Sequence, residues 1–535
     1  MTNLRKKFMA APQYKPLLYT TTMRNPGRLK QILFVLNKFE GQTLTDDLAT
    51  AIVAECIRYG LYRPTKKTPE IKEKWKTTPK GNFSRVLLSR DEVEYLMRNN
   101  PQNHKEAGFE HGYPSRFATI FDLCKELGLA YFTVGDPIEI SELGHRLIDV
   151  LRVTEDGDAL FVEEVHPEYE SEVFIQAFAK SQRKNPFVRV LNDNVPLILL
   201  LETIRLLDDD PTLNGAGISR RELPLLIFWK DNDAEALYFR IKRLREEYGY
   251  NPSDEVILDI CINEIMGGDY KQFDPKSIMV DYPDEFIRKM RMTGLISLRG
   301  AGRFIDINHN EDDKVNYVLE HYSTYPTFTD ERAYFDYMAQ IDRNLLGIKA
   351  IEVQPSQTEQ LLDNWVALYN WDTIKKELMI LSRRRTSEDD VLRILAAPIR
   401  LEFLTALAIK SRLPHVRVIP NYSADDTGLP TSTAGGGAGD IECFDDPKGI
   451  LVEVTMAEGR MQTMMEIWPI ERHLTDFKEK YTEDSESIFV APSIFSDSLR
   501  QIKFVASESE GRNIIRPYCI EDFIAFLETT EHLYA

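Results

Sequence analysis

Two carboxylates on neighbouring short strands are the residues best placed to do chemistry. Asp440 opens the segment DIECF, Glu453 lies in ILVEVTM, and DDPKG (Asp445 to Gly449) forms a tight turn between them. Folding back at that turn brings the two side chains together across a hairpin. Paired oxygens of this kind suit a divalent ion such as Mg²⁺, which keeps positions open for water and a phosphate. Alternation along ILVEVTM puts Ile450, Val452 and Val454 on one face and Leu451, Glu453 and Thr455 on the other. Glu453 therefore projects from a strand suited to burial, where an ionised carboxylate is costly without a cation. An Asp and a Glu on adjacent strands also occur as ordinary surface residues. Glu442, two residues beyond Asp440, is a competing carboxylate, and Asp445 and Asp446 read as turn residues.

The elements around this hairpin predict an α/β domain with a mixed sheet. A helix begins near Asp389, is interrupted or re-entered at Pro398, and carries Glu402 among apolar neighbours. After VRVIPNY comes SADDTGLPTSTAGGGAG, whose length and glycine content mark a functional or mobile loop ending at Asp440. ESIFVAPSI (Glu486 to Ile494) reads as an inner strand, IIRPYCI (Ile514 to Ile520) as another, and EDFIAFLE as a closing helix. Glu466 and His473 are seven residues apart, on one helical face. Pro469 between them kinks that helix or starts a new one.

The first half of the chain predicts a mainly helical region. Helices are expected over about Pro26 to Phe39, Leu44 to Tyr59 and Arg116 to Leu127, followed by strand AYFTV, a GDP turn, strand IEIS and a short helix ELGHRLIDV. The theme recurs with Pro196 to Leu207, a helix capped by Ser219, the basic helix Ala236 to Gly249, and DEFIRKMRMTG leading to LISL, the tip RGAG and RFIDI. Helix, hairpin and helix in series read as two winged-helix-like modules, which serve as double-stranded DNA readers or as dimerisation modules. Candidate DNA contacts are Arg24, Asn25, Arg28, Lys30, Arg220, Arg221, Arg243, Arg299 and Arg303, each directed to phosphate more than to a base edge. The segment Arg63 to Lys80 is strongly basic and loop-like, with Trp75 available to stack or to anchor it. The expected organisation is a first module over 1–160, a second over 161–321, a linker over 322–345 and the α/β domain over 346–535.

With 535 residues, 43% hydrophobic and 28% charged, the chain has the composition of a multidomain globular protein. A net charge of −19 argues against nucleic acid only if charge is evenly spread, and here positive charge is clustered. No apolar run reaches the ~20 residues of a membrane span, and the start has no secretory apolar core. Five scattered cysteines without a CxxC pair point to reduced thiols, a cytoplasmic protein and no cysteine-type zinc site. There is no GxGxxG after a strand, no Walker A sequence and no GxSxG, so a metabolic α/β enzyme lacks support.

Asp440, Glu453 in EVT, and Glu466 and His473 in MEIWPIERH resemble the AlwI family of Type IIS restriction endonucleases and their nicking relatives. KPLLYTTTMRNPGRLKQIL (Lys15 to Leu33), FVAPSI and the helix-borne Glu402 resemble it too. The resemblance implies an N-terminal winged-helix recognition region and a C-terminal PD-(D/E)XK nuclease domain. It implies a catalytic set of Glu402, Asp440, Glu453, Glu466 and His473, with Asp440 and Glu453 holding Mg²⁺. Thr455 stands where the wider nuclease superfamily carries a lysine, as it does in the AlwI-like group. The implied activity is hydrolysis of double-stranded DNA at a fixed offset from an asymmetric site. Its implied partners are a second nuclease domain, from a transient homodimer or a small subunit, and a cognate DNA methyltransferase. A strand-specific nickase and a non-catalytic DNA-binding protein with a degenerate nuclease domain are the alternatives, Thr455 being the main argument for the latter.

Overall fold

A computed structural model describes residues 25–534, apart from residues 77, 107, 189–191, 214, 216, 269–273, 352–353 and 436–437. A 3-10 turn, Pro26–Arg28, runs into the helix Leu29–Asn37, and Asp46–Arg58 follows with Thr45 as its cap. The basic segment expected as a loop contains the short helix Pro69–Lys74. Thr68 accepts the Ile71 N–H and Pro69 presets the first helical φ, so helix starts locally despite the charge. Trp75 is buried and anchors the segment, with the Arg63 guanidinium 5.3 Å from its ring centre.

Helix Tyr113–Glu126, the hairpin Ala130–Tyr131 with Glu139–Ile140, and helix Glu142–Ile148 follow in the expected order. A further hairpin, Leu151–Asp156 with Ala159–Glu164, was not anticipated. Its two-residue turn, Gly157 then Asp158, needs a positive φ (+62°) that glycine adopts freely. Helices Pro196–Asp208, Ala234–Tyr248 and Tyr282–Arg291 then accompany a small antiparallel sheet in the order Ile218–Ser219, Phe304–Ile307, Ile296–Arg299. Ser219 ends a strand; its N–H donates to Glu222 and its hydroxyl accepts the Glu222 N–H, turning the chain into helix Leu223–Phe228.

The stretch expected as a linker holds helices Glu331–Ala339 and Arg343–Gly347. Tyr334 and Phe335 are buried there, and the Lys180 ammonium donates to the carbonyls of Tyr337, Met338 and Gln340 at 3.1, 2.8 and 2.6 Å. One apolar cluster extends from Leu29 to Leu533, so the helical half and the sheet share a core. No helix among the described residues is long and apolar enough to cross a membrane.

The C-terminal part holds the expected mixed sheet. Its strands are β1 (Arg417–Pro420), β2 (Ile441–Asp445), β3 (Lys448–Val454), β4 (Glu486–Ala491) and β5 (Ile515–Cys519), in the spatial order β5-β4-β3-β2-β1. β1, β2 and β3 pair antiparallel; β3, β4 and β5 pair parallel, joined by helical crossovers as parallel strands require. The helices are α1 (Ala397–Arg412), α2 (Arg460–Met465), α3 (Ile467–Lys480), α4 (Ser496–Glu508) and α5 (Ile520–Thr529). The first of them starts later than predicted. The Asp389 carboxylate takes the N–H groups of Val391 and Leu392, both at 2.9 Å, and holds 389–395 as turns until Pro398 enters the first turn of α1.

The first part of the long segment expected as a loop before Asp440, residues 422–434, is a hairpin. Tyr422–Ala424 pairs with Pro430–Ala434, and Asp425 closes the turn by accepting from Thr427 and Leu429. Arg291 reaches Asp425 at 2.8 Å and the Pro430 carbonyl at 3.1 Å, while Arg299 meets Asp426 at 2.6 Å. Arg291 and Asp425 are 6% and 0% exposed, so this pair ties helix Tyr282–Arg291 to the hairpin through a buried ion pair. Removing one partner strands a buried charge. Arg291→Met should lower stability by about 3–5 kcal/mol in urea unfolding. Adding Asp425→Asn should restore part of the loss, since the amide oxygen still serves the turn.

Candidate active site

Asp440 precedes β2, and Glu453 lies near the end of β3 where Ile441 faces Val452. The backbone holds Asp440 firmly: the Val454 N–H donates to Asp440 Oδ2 at 2.7 Å, and Asn421 donates its N–H to the Asp440 carbonyl at 2.9 Å. The Asn421 side chain also donates to the Gly439 carbonyl at 2.6 Å. At Gly439 a side chain would collide with the Glu453 carboxylate, its Cβ falling 2.8 Å from Glu453 Oε1 and 2.4 Å from Leu451 Cδ1. The glycine is therefore the cradle in which Glu453 lies against the backbone.

Glu402 on α1 and Glu466 join these two. Glu402 Oε2 accepts the Ala434 N–H at 3.1 Å, at the end of the docked hairpin. Glu466 sits at the break between α2 and α3, so Pro469 falls in the first turn of a new helix, where its missing N–H costs nothing. That break aims Glu466 Oε1 at the Thr455 hydroxyl, which donates to it at 2.7 Å. Thr455 thus fixes the orientation of the Glu466 carboxyl. His473, one face along α3, places Nδ1 2.9 Å from Glu453 Oε1. The structure brings all five residues of the expected set together.

Electrostatics give the cluster its character. Burial, then Glu466, pushes the Glu453 carboxyl up to about 8, and burial pushes Glu466 up to about 7. Burial and Glu453 hold Asp440 well above the carboxylate range; burial and Asp440 do the same for Glu402. Carboxyl neighbours within the cluster add to burial for Glu402, Asp440 and Glu453; Glu163 of the Leu151–Glu164 hairpin does so for Glu466, and Glu164 for Glu402. The donor set is oxygen-rich and short of positive charge, with a glycine making room for Glu453. Those features fit a divalent cation held by Asp440 and Glu453.

Several neighbours were not foreseen. Arg85 donates to the Met456 carbonyl at 2.7 Å and to Glu458 at 2.8 Å, and Arg384 pairs with the same glutamate. Together they clamp the segment just after β3. Asn421, Gly439 and Ala434 act through backbone geometry that a residue-type search does not detect. Glu442 is outside the cluster, accepting from the Tyr481 hydroxyl at 3.0 Å. Asp445, read as a turn residue, is buried at the end of β2 and faces Lys448 across the turn at 446–447.

The candidate DNA contacts divide. Arg24 lies outside the described residues. Asn25 accepts the Gly27 N–H and is a helix cap. Lys30 is buried against Glu164 at 2.7 Å and Glu170 at 3.1 Å, a correction to its reading as a surface contact. Burial opposes its charge, but the two glutamates outweigh that and raise its pKa. Arg220 donates to the carbonyls of Gly302 and Asp390, Arg221 pairs with Asp254, and Arg299 bridges Asp306 and Asp426. Arg243 pairs with Glu247 on an exposed helix face, and Arg303 is exposed at the hairpin tip. Arg28 packs beside Gly81, where burial and Arg288 lower its pKa.

Comparison with family models gives the class first: a restriction endonuclease, and so a DNA nuclease. The chain belongs to the AlwI restriction endonuclease family, whose model matches residues 125–373 and 358–526. No curated protein sequence matched. Among solved structures, the small subunit of the heterodimeric restriction endonuclease R.BspD6I is similar over 29% of this chain and 76% of that one, at 22% identity and a TM-score of 0.25. Restriction endonuclease FokI is similar over 94% of both chains at 12% identity and a TM-score of 0.24; FokI bound to DNA gives 10% identity and the same score.

Two outcomes test this geometry. Gly439→Ala should displace the Glu453 carboxylate and slow DNA cleavage on the order of 100-fold, as a misplacement of about 1 Å does, while thermal unfolding shows the fold retained. For pH, Glu453 and Glu466 are raised in the fold, so the protonated centre stabilises the metal-free protein at low pH. That contribution is lost as pH rises through about 7 to 8. Ca²⁺ needs the ionised carboxylates, so its thermal stabilisation should be larger at pH 8.5 than at pH 6, a difference that Glu453→Gln removes.

Proposed function

We propose that this chain is a Mg²⁺-dependent, Type IIS-like endonuclease that reads an asymmetric double-stranded DNA site and hydrolyses phosphodiester bonds at a fixed offset from it. The observation that carries the reading is the gathering of Glu402, Asp440, Glu453 and Glu466 at one end of the central hairpin, with His473 on Glu453 and a threonine at the usual lysine position. When bound, the divalent ion would lower the pKa of a water and neutralise charge developing on the scissile phosphate. The chain's own groups prepare that centre. His473 Nδ1, 2.9 Å from Glu453 Oε1, holds that oxygen in a hydrogen bond. Thr455 fixes Glu466 as an acceptor positioned to orient the attacking water, the work left undone by the missing lysine. Glu402, anchored by Ala434, is the further carboxylate available to a second ion.

Recognition is assigned to residues 1–160 and 161–321, joined through 322–345 to the nuclease part at 346–535. The order of helix, hairpin and helix in each supports a winged-helix reading. A basic patch supports the DNA side. Burial and Arg28 push Arg63 down to about 10, and burial followed by Arg63, Lys80 and Lys72 lowers Lys67. Cations that raise one another's energy gain most from a phosphate backbone.

One such centre per chain cuts one strand. A second copy or a small subunit would complete a double-strand break, and a chain acting alone would nick. Asp440→Ala and Glu453→Ala should each abolish Mg²⁺-dependent cleavage while leaving DNA binding in Ca²⁺ intact; cleavage by Asp440→Ala contradicts the assignment. Supercoiled plasmid digested over a range of enzyme concentrations separates the two modes: open circles that persist mean nicking, and linear product rising with concentration means pairing.

A further inference from the structure

We propose that His415, Asp445 and His532 form a binding site for a transition-metal ion, Zn²⁺ in the first instance, at the opposite end of the β2–β3 hairpin from the carboxylate centre. The three residues come from distant parts of the chain: the turn before β1, the tip of the hairpin, and the tail after α5. His415 Nε2 lies 3.3 Å from Asp445 Oδ1, and His532 Nδ1 lies 2.9 Å from the same oxygen. One donor atom from each falls within 4.8 Å of the others. Donors held at Zn–N distances of about 2.0–2.1 Å in a tetrahedron stand roughly 3.3 Å apart; the two imidazoles stand 3.3 and 2.9 Å from Asp445 Oδ1, so small side-chain rotations would admit the ion.

The arrangement exceeds what an ion pair needs. The Asp445 side chain is fully buried, and its Oδ2 is already used by the Leu533 N–H at 2.6 Å. One histidine would suffice for the remaining oxygen, yet two imidazoles converge on it with ring centres 5.3 Å apart. His532 is itself fixed by stacking on Tyr534 at 4.7 Å. Two imidazole nitrogens and one carboxylate oxygen favour zinc and its neighbours over the hard Mg²⁺ or Ca²⁺. His415 is half exposed, which leaves a route for the ion and a fourth position for water. Five residues of extended chain separate Asp440 from Asp445, about 17 Å at the rise of a strand, so this ion is distinct from the one at the carboxylates. Its effect is to pin the C-terminal tail to the turn that joins the two strands framing the nuclease centre.

The test uses the full chain carrying Asp440→Asn and Glu453→Gln, which removes the carboxylate centre as a competing site. Zn²⁺ titration by calorimetry and Co²⁺ titration by visible absorption should show one equivalent bound with a tetrahedral-type spectrum. Adding His415→Gln and His532→Gln should weaken Zn²⁺ binding by at least about tenfold and remove the Co²⁺ band. Absence of the equivalent, or unchanged affinity after both histidines are replaced, overturns the proposal. His415→Gln alone alters a half-exposed side chain, so metal-free thermal unfolding should be unchanged. Wild-type Zn²⁺ affinity in that folded single variant also overturns it.

Discussion

Four carboxyl groups at one end of a sheet cannot all be ionised without a cation among them, and the rest of the structure is arranged around that constraint. Burial first, and neighbouring carboxylates second, raise the pKa of Glu402, Asp440 and Glu453, while burial and Glu163 raise that of Glu466. The chain tolerates the cluster by giving its members fixed hydrogen-bond partners: the Ala434 N–H for Glu402, the Val454 N–H for Asp440, the Thr455 hydroxyl for Glu466 and the His473 Nδ1 for Glu453. These partners orient the oxygens without neutralising them. Under the proposed function, a divalent ion would supply the positive charge at this centre.

The same centre is held from the first half of the chain on two sides. On one, Arg291 and Arg299 dock the 422–434 hairpin, whose last residue carries the N–H that anchors Glu402. On the other, Arg85 grips the segment after β3 together with Arg384, and the Leu151–Glu164 hairpin brings Glu163 and Glu164 into the field of the cluster. Lys30 takes its place in this frame, buried under Glu164 and Glu170. The helical half is therefore tied to the carboxylates through hydrogen bonds and ion pairs.

Much of the centre was legible because it rests on local rules. Period-two alternation placed Glu453 on a buried face, the DDPKG turn set the β2–β3 hairpin, and Pro469 marked the break that aims Glu466 at Thr455. Glu402 and His473 entered through family resemblance, since a glutamate on an apolar helix and a lone histidine say little by themselves. What stayed hidden depends on long-range contacts. The segment 422–434 reads as part of a long loop until Arg291 and Arg299, more than a hundred residues earlier, are seen to hold it. Lys30 reads as a surface cation until two glutamates enclose it. The Leu151–Glu164 hairpin, with its turn at Gly157 and Asp158, follows directly on the helix expected to end at Val150 and was given no reading.

The central claim is that Asp440 and Glu453 together hold the catalytic ion. Crystals of the full chain soaked in Mn²⁺ and measured at a wavelength with strong anomalous scattering test it most directly. The account predicts an anomalous peak about 2.1 Å from a carboxylate oxygen of each residue. Absence of a peak between them, in a protein that cleaves DNA in the same Mn²⁺ buffer, would contradict it.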